Sequence, residues 1–121
     1  EQNDASVHYP GGTLQLQTSA AQVPAVSDNN TCMLDAAALQ FPLILRPAAT
    51  GDYFYPLGLR KKKKLNHFLG SLKLSPAIKS MTTVLCSDSK IAWVVGQRID
   101  ERFKITPNTK RVLKITFLSK S

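Results

Sequence analysis

Residues 13–18 alternate, with Leu14 and Leu16 on one side and Gln15 and Gln17 on the other, the period-two pattern of a half-buried strand. The residues before them read as a polar tail closing in a Tyr9-Pro10-Gly11-Gly12 turn, and residues 20–30, with Pro24 and Asp28-Asn29-Asn30, as a linker. A short strand over 31–34 follows, then one helical turn capped by Asp35, then a strand over 41–46 that ends before Pro47. Tyr53-Phe54-Tyr55 is an aromatic strand broken by Pro56 and Gly58. From about Lys63, the apolar residues Leu65, Phe68, Leu69 and Leu72 recur at i, i+3, i+4 and i+7, one face of a helix. Ser75-Pro76 opens a second, short helix ending near Met81. Residues 82–86, 91–95 and 111–118 are strand candidates, the first two joined by the turn Ser87-Asp88-Ser89-Lys90. Ile91-Ala92-Trp93-Val94-Val95 is apolar on both faces and so predicts a central strand. In the last strand Leu113, Ile115 and Phe117 face the core while Lys114 and Thr116 face solvent. The class is α+β: a small mixed or antiparallel sheet with two short helices packed on one side.

Composition bounds this picture without altering it. A chain of 121 residues, 43% hydrophobic and 20% charged, is ordinary for a globular domain with one core. No apolar run approaches the roughly 20 residues of a spanning helix, so no membrane partner is expected. The start, Glu1-Gln2-Asn3-Asp4, has no initiator Met, basic leader or apolar stretch, and reads as a fragment rather than a secretory precursor. Cys32 and Cys86 lie 54 positions apart without CxxC spacing, which indicates neither a disulfide framework nor a zinc site and fits a reducing, cytoplasmic setting.

Charge changes the picture more. The net charge is +8, yet residues 1–45 contain no Lys or Arg and four acids, while the remainder holds sixteen cations and four acids. Such asymmetry predicts a basic face directed at a polyanion, most commonly nucleic acid. Arg60-Lys61-Lys62-Lys63-Lys64 concentrates five adjacent charges. With a helix starting near Lys63, these lysines crowd the positive end of its dipole, where cations are disfavoured by roughly 0.3–1 kcal/mol each. Helix stability does not select them, whereas lysines beside free helix N–H groups make a phosphate site that Lys64, His67 and Ser71 extend along the solvent face. Phosphate contacts position a partner without reading its bases. Phe54 belongs to the core on this reading, and Tyr53 and Tyr55 are open between core and base stacking.

Catalytic signatures are missing: the chain has no GxxxxGK[ST], GxGxxG, HExxH or GxSxG. A Cys/His nucleophile would need Cys32 or Cys86 with His8 or His67, but Cys86 sits in an apolar strand and His8 in the tail. Asp52, Asp100 and Glu101 are better read as ion-pair partners, the last two of Arg98, Arg102 and Lys104.

The stretches 41–46 (FPLILR), 51–58 (GDYFYPLG), Lys63-Lys64-Leu65, 91–100 (IAWVVGQRID) and Arg102-Phe103-Lys104, in this order and spacing, resemble the C-terminal domain of bacterial tRNA(Ile)-lysidine synthases, of the PP-loop ATPase family, from about Phe41 to Phe117. The resemblance implies a lead-in segment over 1–40 and a tRNA-binding domain over 41–121. It implies a parent enzyme that uses ATP, with magnesium, to attach lysine to the wobble cytidine of an isoleucine tRNA with a CAU anticodon. That chemistry belongs to an N-terminal domain whose SGGxDS signature these residues lack. The fragment is thereby implied to be non-catalytic, to hold no cofactor of its own, and to have as partners that tRNA and the parent's N-terminal catalytic domain, with a homodimer left open. Arg46, Arg60, Lys61, Lys62, Lys63, Lys64, His67, Arg98 and Arg102 are the candidate RNA contacts, while Asp52 fixes its loop and Gly58 a turn. The sequence departs from the family pattern at Ala48, Tyr53, Lys61 and His67, where Trp, Arg, Gly and Asp are common. The competing reading is an interaction domain with a merely solubilising basic face, self-associating through an exposed edge strand over 14–18.

Overall fold

In the computed structural model, residues 5–20 and 30–119 are described. Within them the chain forms strands β1 (Ala5–Tyr9), β2 (Gly12–Ala20), β3 (Thr31–Asp35), β4 (Ile44–Pro47), β5 (Tyr53–Phe54), β6 (Lys63–Lys64), β7 (Thr83–Ser87), β8 (Lys90–Val94), β9 (Arg98–Ile99) and β10 (Arg111–Ser119), with helices α1 (Leu65–Ser71) and α2 (Pro76–Ser80). The class is α+β, with two short helices and antiparallel pairing throughout. The strands are divided into a sheet β1-β2-β10-β3, a sheet β4-β7-β8-β9 and a ribbon β5-β6.

The expected alternation at 13–18 is present, with Leu14 buried and opposite Val7 on one side and Phe117 on the other. The residues read as a polar tail are instead strand β1 from Ala5 onward. Ala5 to Tyr9 carry a weak local pattern, and their state is set by pairing to β2 across the Pro10-Gly11 turn. That pairing also overturns the exposed edge at 14–18, because β2 lies between β1 and β10. Most of the predicted linker, residues 21–29, lies outside the described residues.

Sheet β4-β7-β8-β9 separates two hydrophobic clusters. On one face Leu85, Ala92 and Trp93 pack with Leu14, Leu34, Leu113 and Ile115 of the first sheet. On the other, Val84, Cys86, Ile91 and Val94 pack with Phe54 and with Leu65, Phe68 and Leu69 of α1. Strict alternation would put Ile91 and Trp93 together. A bulge prevents this: Leu85 pairs with Trp93 and Cys86 with Ile91, leaving Ala92 as the extra residue. β8 therefore lines both clusters, as a centrally paired strand that is apolar on both faces should.

Local signals account for the helices. Leu65, Phe68 and Leu69 form the buried face of α1, and the Ser75 hydroxyl accepts the Ile78 N–H at the start of α2, with Pro76 in its first turn. The turn between β7 and β8 places Asp88 and Ser89 at φ 49° and 69°, the left-handed pair that suits a tight hairpin. Asp35 accepts the Ala37 N–H and caps a single 3-10 turn, Ala36–Ala38. Among the described residues no helix is long and apolar enough to cross a membrane, and no group of His, Cys, Asp and Glu is arranged to hold a metal ion.

Candidate nucleic-acid interface

The lysine run is displayed by the ribbon, which leads directly into the N-terminus of α1. β5 and β6 pair Tyr53 with Lys64 and Phe54 with Lys63. Directly opposed residues share a face, so Lys63 lies on the side of the fully buried Phe54 and is half-buried, while Tyr53 and Lys64 face outward. Phe54 meets Phe68 edge to face at 5.1 Å, which fixes this parity. The predicted helix consequently starts at Leu65, with extended Lys64 as its cap and no side-chain capping bond. The Leu65 N–H donates to the Asp52 carbonyl at 2.8 Å. Lys64 thus stands at the N-terminus of seven-residue α1, as the sequence predicts, and the rest of the run lies on the hairpin that leads into it.

The connection between the strands is tied down at its start. Leu57 donates to the Ile99 carbonyl and Leu59 to that of Pro56. Gly58, at φ +91°, a conformation that side-chain-bearing residues rarely adopt, donates its N–H to the Glu101 carboxylate at 3.0 Å. Glu101 also holds Lys104, and these contacts keep its carboxyl below the usual range. Arg60, Lys61 and Lys62 follow, all exposed. Among the described residues none of Arg60, Lys61, Lys62, Lys63 and Lys64 is in an ion pair, and the Lys62 ammonium rests 4.4 Å over the Tyr53 ring.

The remaining candidates divide by partner. His67 is exposed on α1, and Arg98 lies 5.2 Å over the Phe68 ring of the same helix. Ser71 donates to the Phe68 carbonyl. Arg102 lies 4.4 Å over Tyr55, and its Nε and Nη2 donate to Asp100 at 2.9 Å each. Asp100 is fully buried and also accepts the N–H groups of Tyr55 and Arg102. Arg46 forks onto Asp52 through Nη1 and Nη2, both at 2.9 Å, and Asp52 accepts the Ala49 N–H as well, so it fixes its loop. Arg46 and Arg102 are thus each bonded to a local carboxylate, whereas none of the ribbon's cations is in an ion pair among the described residues, and Arg60 only feels the charge of Glu101. Strand parity could have revealed the Lys62–Tyr53 contact. The seats of Arg98 on Phe68 and Arg102 on Tyr55 join distant elements and leave no local signal.

Hydrogen bonds from Arg46, then that of the Ala49 N–H, and last the Arg46 charge hold the Asp52 carboxyl below the usual range against a partial desolvation. A depressed carboxylate pKa adds stability that is complete above the unfolded value near ~3.9 and is lost as pH falls through the folded one. Asp52→Asn should therefore flatten the acid limb of a melting-temperature titration below about pH 4. An unchanged limb would place the acid sensitivity at another carboxylate. Burial pushes both thiols up, His8 is engaged with Thr13 on the outer hairpin and His67 is exposed, and among the described residues no hydrogen bond joins a cysteine to a histidine.

Comparison with known proteins places the chain in a family. A family profile described as the TilS substrate C-terminal domain matches residues 43–115. The chain belongs to this family, the C-terminal domain of tRNA(Ile)-lysidine synthases. The tRNA(Ile)-lysidine synthase of Parabacteroides distasonis is 43% identical over 95 residues, covering 78% of this chain and 22% of that protein. That of Bacteroides thetaiotaomicron is 38% identical over 86 residues, covering 71% and 20%. The chain therefore spans about a fifth of the length of these relatives. A crystal structure of the TilS C-terminal domain superposes with a TM-score of 0.78 at 17% identity, covering 100% of this chain and 99% of that one. An N-terminal fragment of the phenylalanyl-tRNA synthetase β-subunit from Pyrococcus horikoshii superposes with a TM-score of 0.60 at 18% identity over 72% of this chain and 28% of that one. Both likenesses concern the fold. All the candidate cations, from Arg46 to Arg102, fall inside the TilS-matched segment.

Proposed function

We propose that this TilS C-terminal domain is a non-catalytic tRNA-holding module that grips phosphates with the β5–β6 ribbon. The observation that carries the reading is the run Arg60 to Lys64, based on the buried Phe54 and in no ion pair among the described residues. Cations free of internal pairs release counterions when they meet phosphates, and this gives affinity without base reading. His67 and Arg98 on the α1 side, and Arg46 and Arg102 at the flanks, extend the surface. The tRNA held is the isoleucine tRNA with the CAU anticodon. Lysine attachment at its wobble cytidine, with ATP and magnesium, is the work of the parent chain's N-terminal catalytic domain in the cytoplasm, and no residue of this chain is assigned to ATP. Gripping the body of the tRNA keeps the distant anticodon loop within that domain's reach.

Neutralising three to five phosphates predicts a slope of log K against log salt of roughly −2 to −4.5. Lys61→Glu combined with Lys64→Glu, both exposed, should make the slope shallower by about 2 and weaken tRNA binding by about 30- to 100-fold at ~0.1 M salt. The melting temperature should not fall, because neither side chain has an ion-pair partner among the described residues and an acid is favoured at the N-terminus of α1. Titration of labelled tRNA over a salt series reads both quantities. Undiminished affinity in a folded variant would move the interface off the ribbon.

A further inference from the structure

The ribbon carries one group that phosphate holding does not require. Tyr53 is 48% exposed beside the fully buried Phe54. Strand parity sends one residue of that pair outward, but it does not demand an aromatic there, nor cations on two sides of it. Lys62 lies 4.4 Å over the ring, and Lys64 stands directly across the ladder. The nearest acid in sequence, Asp52, is held by the fork of Arg46.

Tyr55, two residues on, provides the contrast. Its ring is covered by Arg102, whose guanidinium is anchored by two 2.9 Å bonds to a fully buried carboxylate. Nothing comparable anchors Lys62: its ammonium is in none of the ion pairs of the described residues, and an exposed cation–π contact is weak. A phosphate arriving between Lys62 and Lys64 competes for that ammonium and uncovers the ring at the moment a nucleotide is beside it. Bases inside a duplex already have both faces stacked, so only an unpaired nucleotide can use the ring.

We infer that Tyr53 is a stacking platform for an unpaired nucleobase of the bound RNA, with Lys62 and Lys64 on the flanking phosphates. The inference rests on the ribbon being an RNA interface and adds what kind of nucleotide it takes. Every base has a π face, so the platform selects single-stranded character and not sequence.

The test compares a blunt RNA duplex with the same duplex bearing a four-nucleotide 3′ extension, with 2-aminopurine at its first unpaired position. The wild-type chain should bind the extended duplex ~10-fold more tightly than the blunt one and change the 2-aminopurine emission. Tyr53→Phe should keep both effects. Tyr53→Ala, and Tyr53→Leu as an apolar control for folding, should lose both while retaining blunt-duplex affinity. A gain that survives Tyr53→Ala, or no gain in the wild type while the blunt duplex still binds, overturns the platform and leaves the ribbon reading standing. Failure of both RNAs to bind overturns the ribbon reading, and the platform with it.

Discussion

Asp100→Ala should lower the unfolding free energy by about 3 kcal/mol, the low end of what breaking a buried ion pair costs. The low end applies because the Arg102 side chain is 33% exposed and can turn its charge to water. The backbone groups are less free to turn. Asp100 Oδ2 accepts the Tyr55 N–H and Oδ1 the Arg102 N–H, at 2.9 and 2.8 Å, both bonds being partly buried. Orphaned buried donors cost about 1–3 kcal/mol each. The loss also releases Arg102 from its seat on Tyr55 and loosens the bridge between Pro56 and Asp100 from which the cationic loop departs. Urea denaturation of the Ala variant measures the effect, and Asp100→Asn, which keeps the shape and one acceptor oxygen, should lose less. An Ala variant within about 1 kcal/mol of wild type would show that water satisfies these donors.

Trp93→Ala should cost about 3–5 kcal/mol, as a large truncation in a packed interior. Trp93 is buried on the bulged side of β8, in the cluster that joins the two main sheets. The cavity would open between strands fixed by their own ladders, so collapse around it is limited. Since a domain of this kind is stable by only about 5–15 kcal/mol, the variant should melt far earlier. A loss below about 1.5 kcal/mol would mean that this part of the core repacks freely.

The parts of the fold legible in the sequence are those with short-range causes. The i, i+3, i+4, i+7 set of α1, the Ser75-Pro76 start of α2 and the two-sided apolarity of β8 each sit in one stretch of chain, and each is present in the structure. β1 was hidden because its strand state comes from pairing with β2. β9 has only two residues, held by Trp93 and Val94 across the ladder. The candidate site was legible as charge but not as shape. The run of cations shows in the sequence, but its extended display depends on burial of Phe54 against Phe68, fourteen positions on. The fork of Arg46 on Asp52 spans six positions across a turn, and no periodic pattern reports it.

The sheet β4-β7-β8-β9 is a wall common to both hydrophobic clusters. Opening either side uncovers the face of the wall that it protects, so the two halves are expected to melt as a single cooperative unit. A half-folded form in which the ribbon stays presented while the β1–β2 hairpin side is open is not expected to accumulate. An injury remote from the lysines, such as one at Trp93, should withdraw the cationic ribbon in the same step as it dissolves the core, so that damaged molecules would lose any contact made through the ribbon outright instead of gripping weakly.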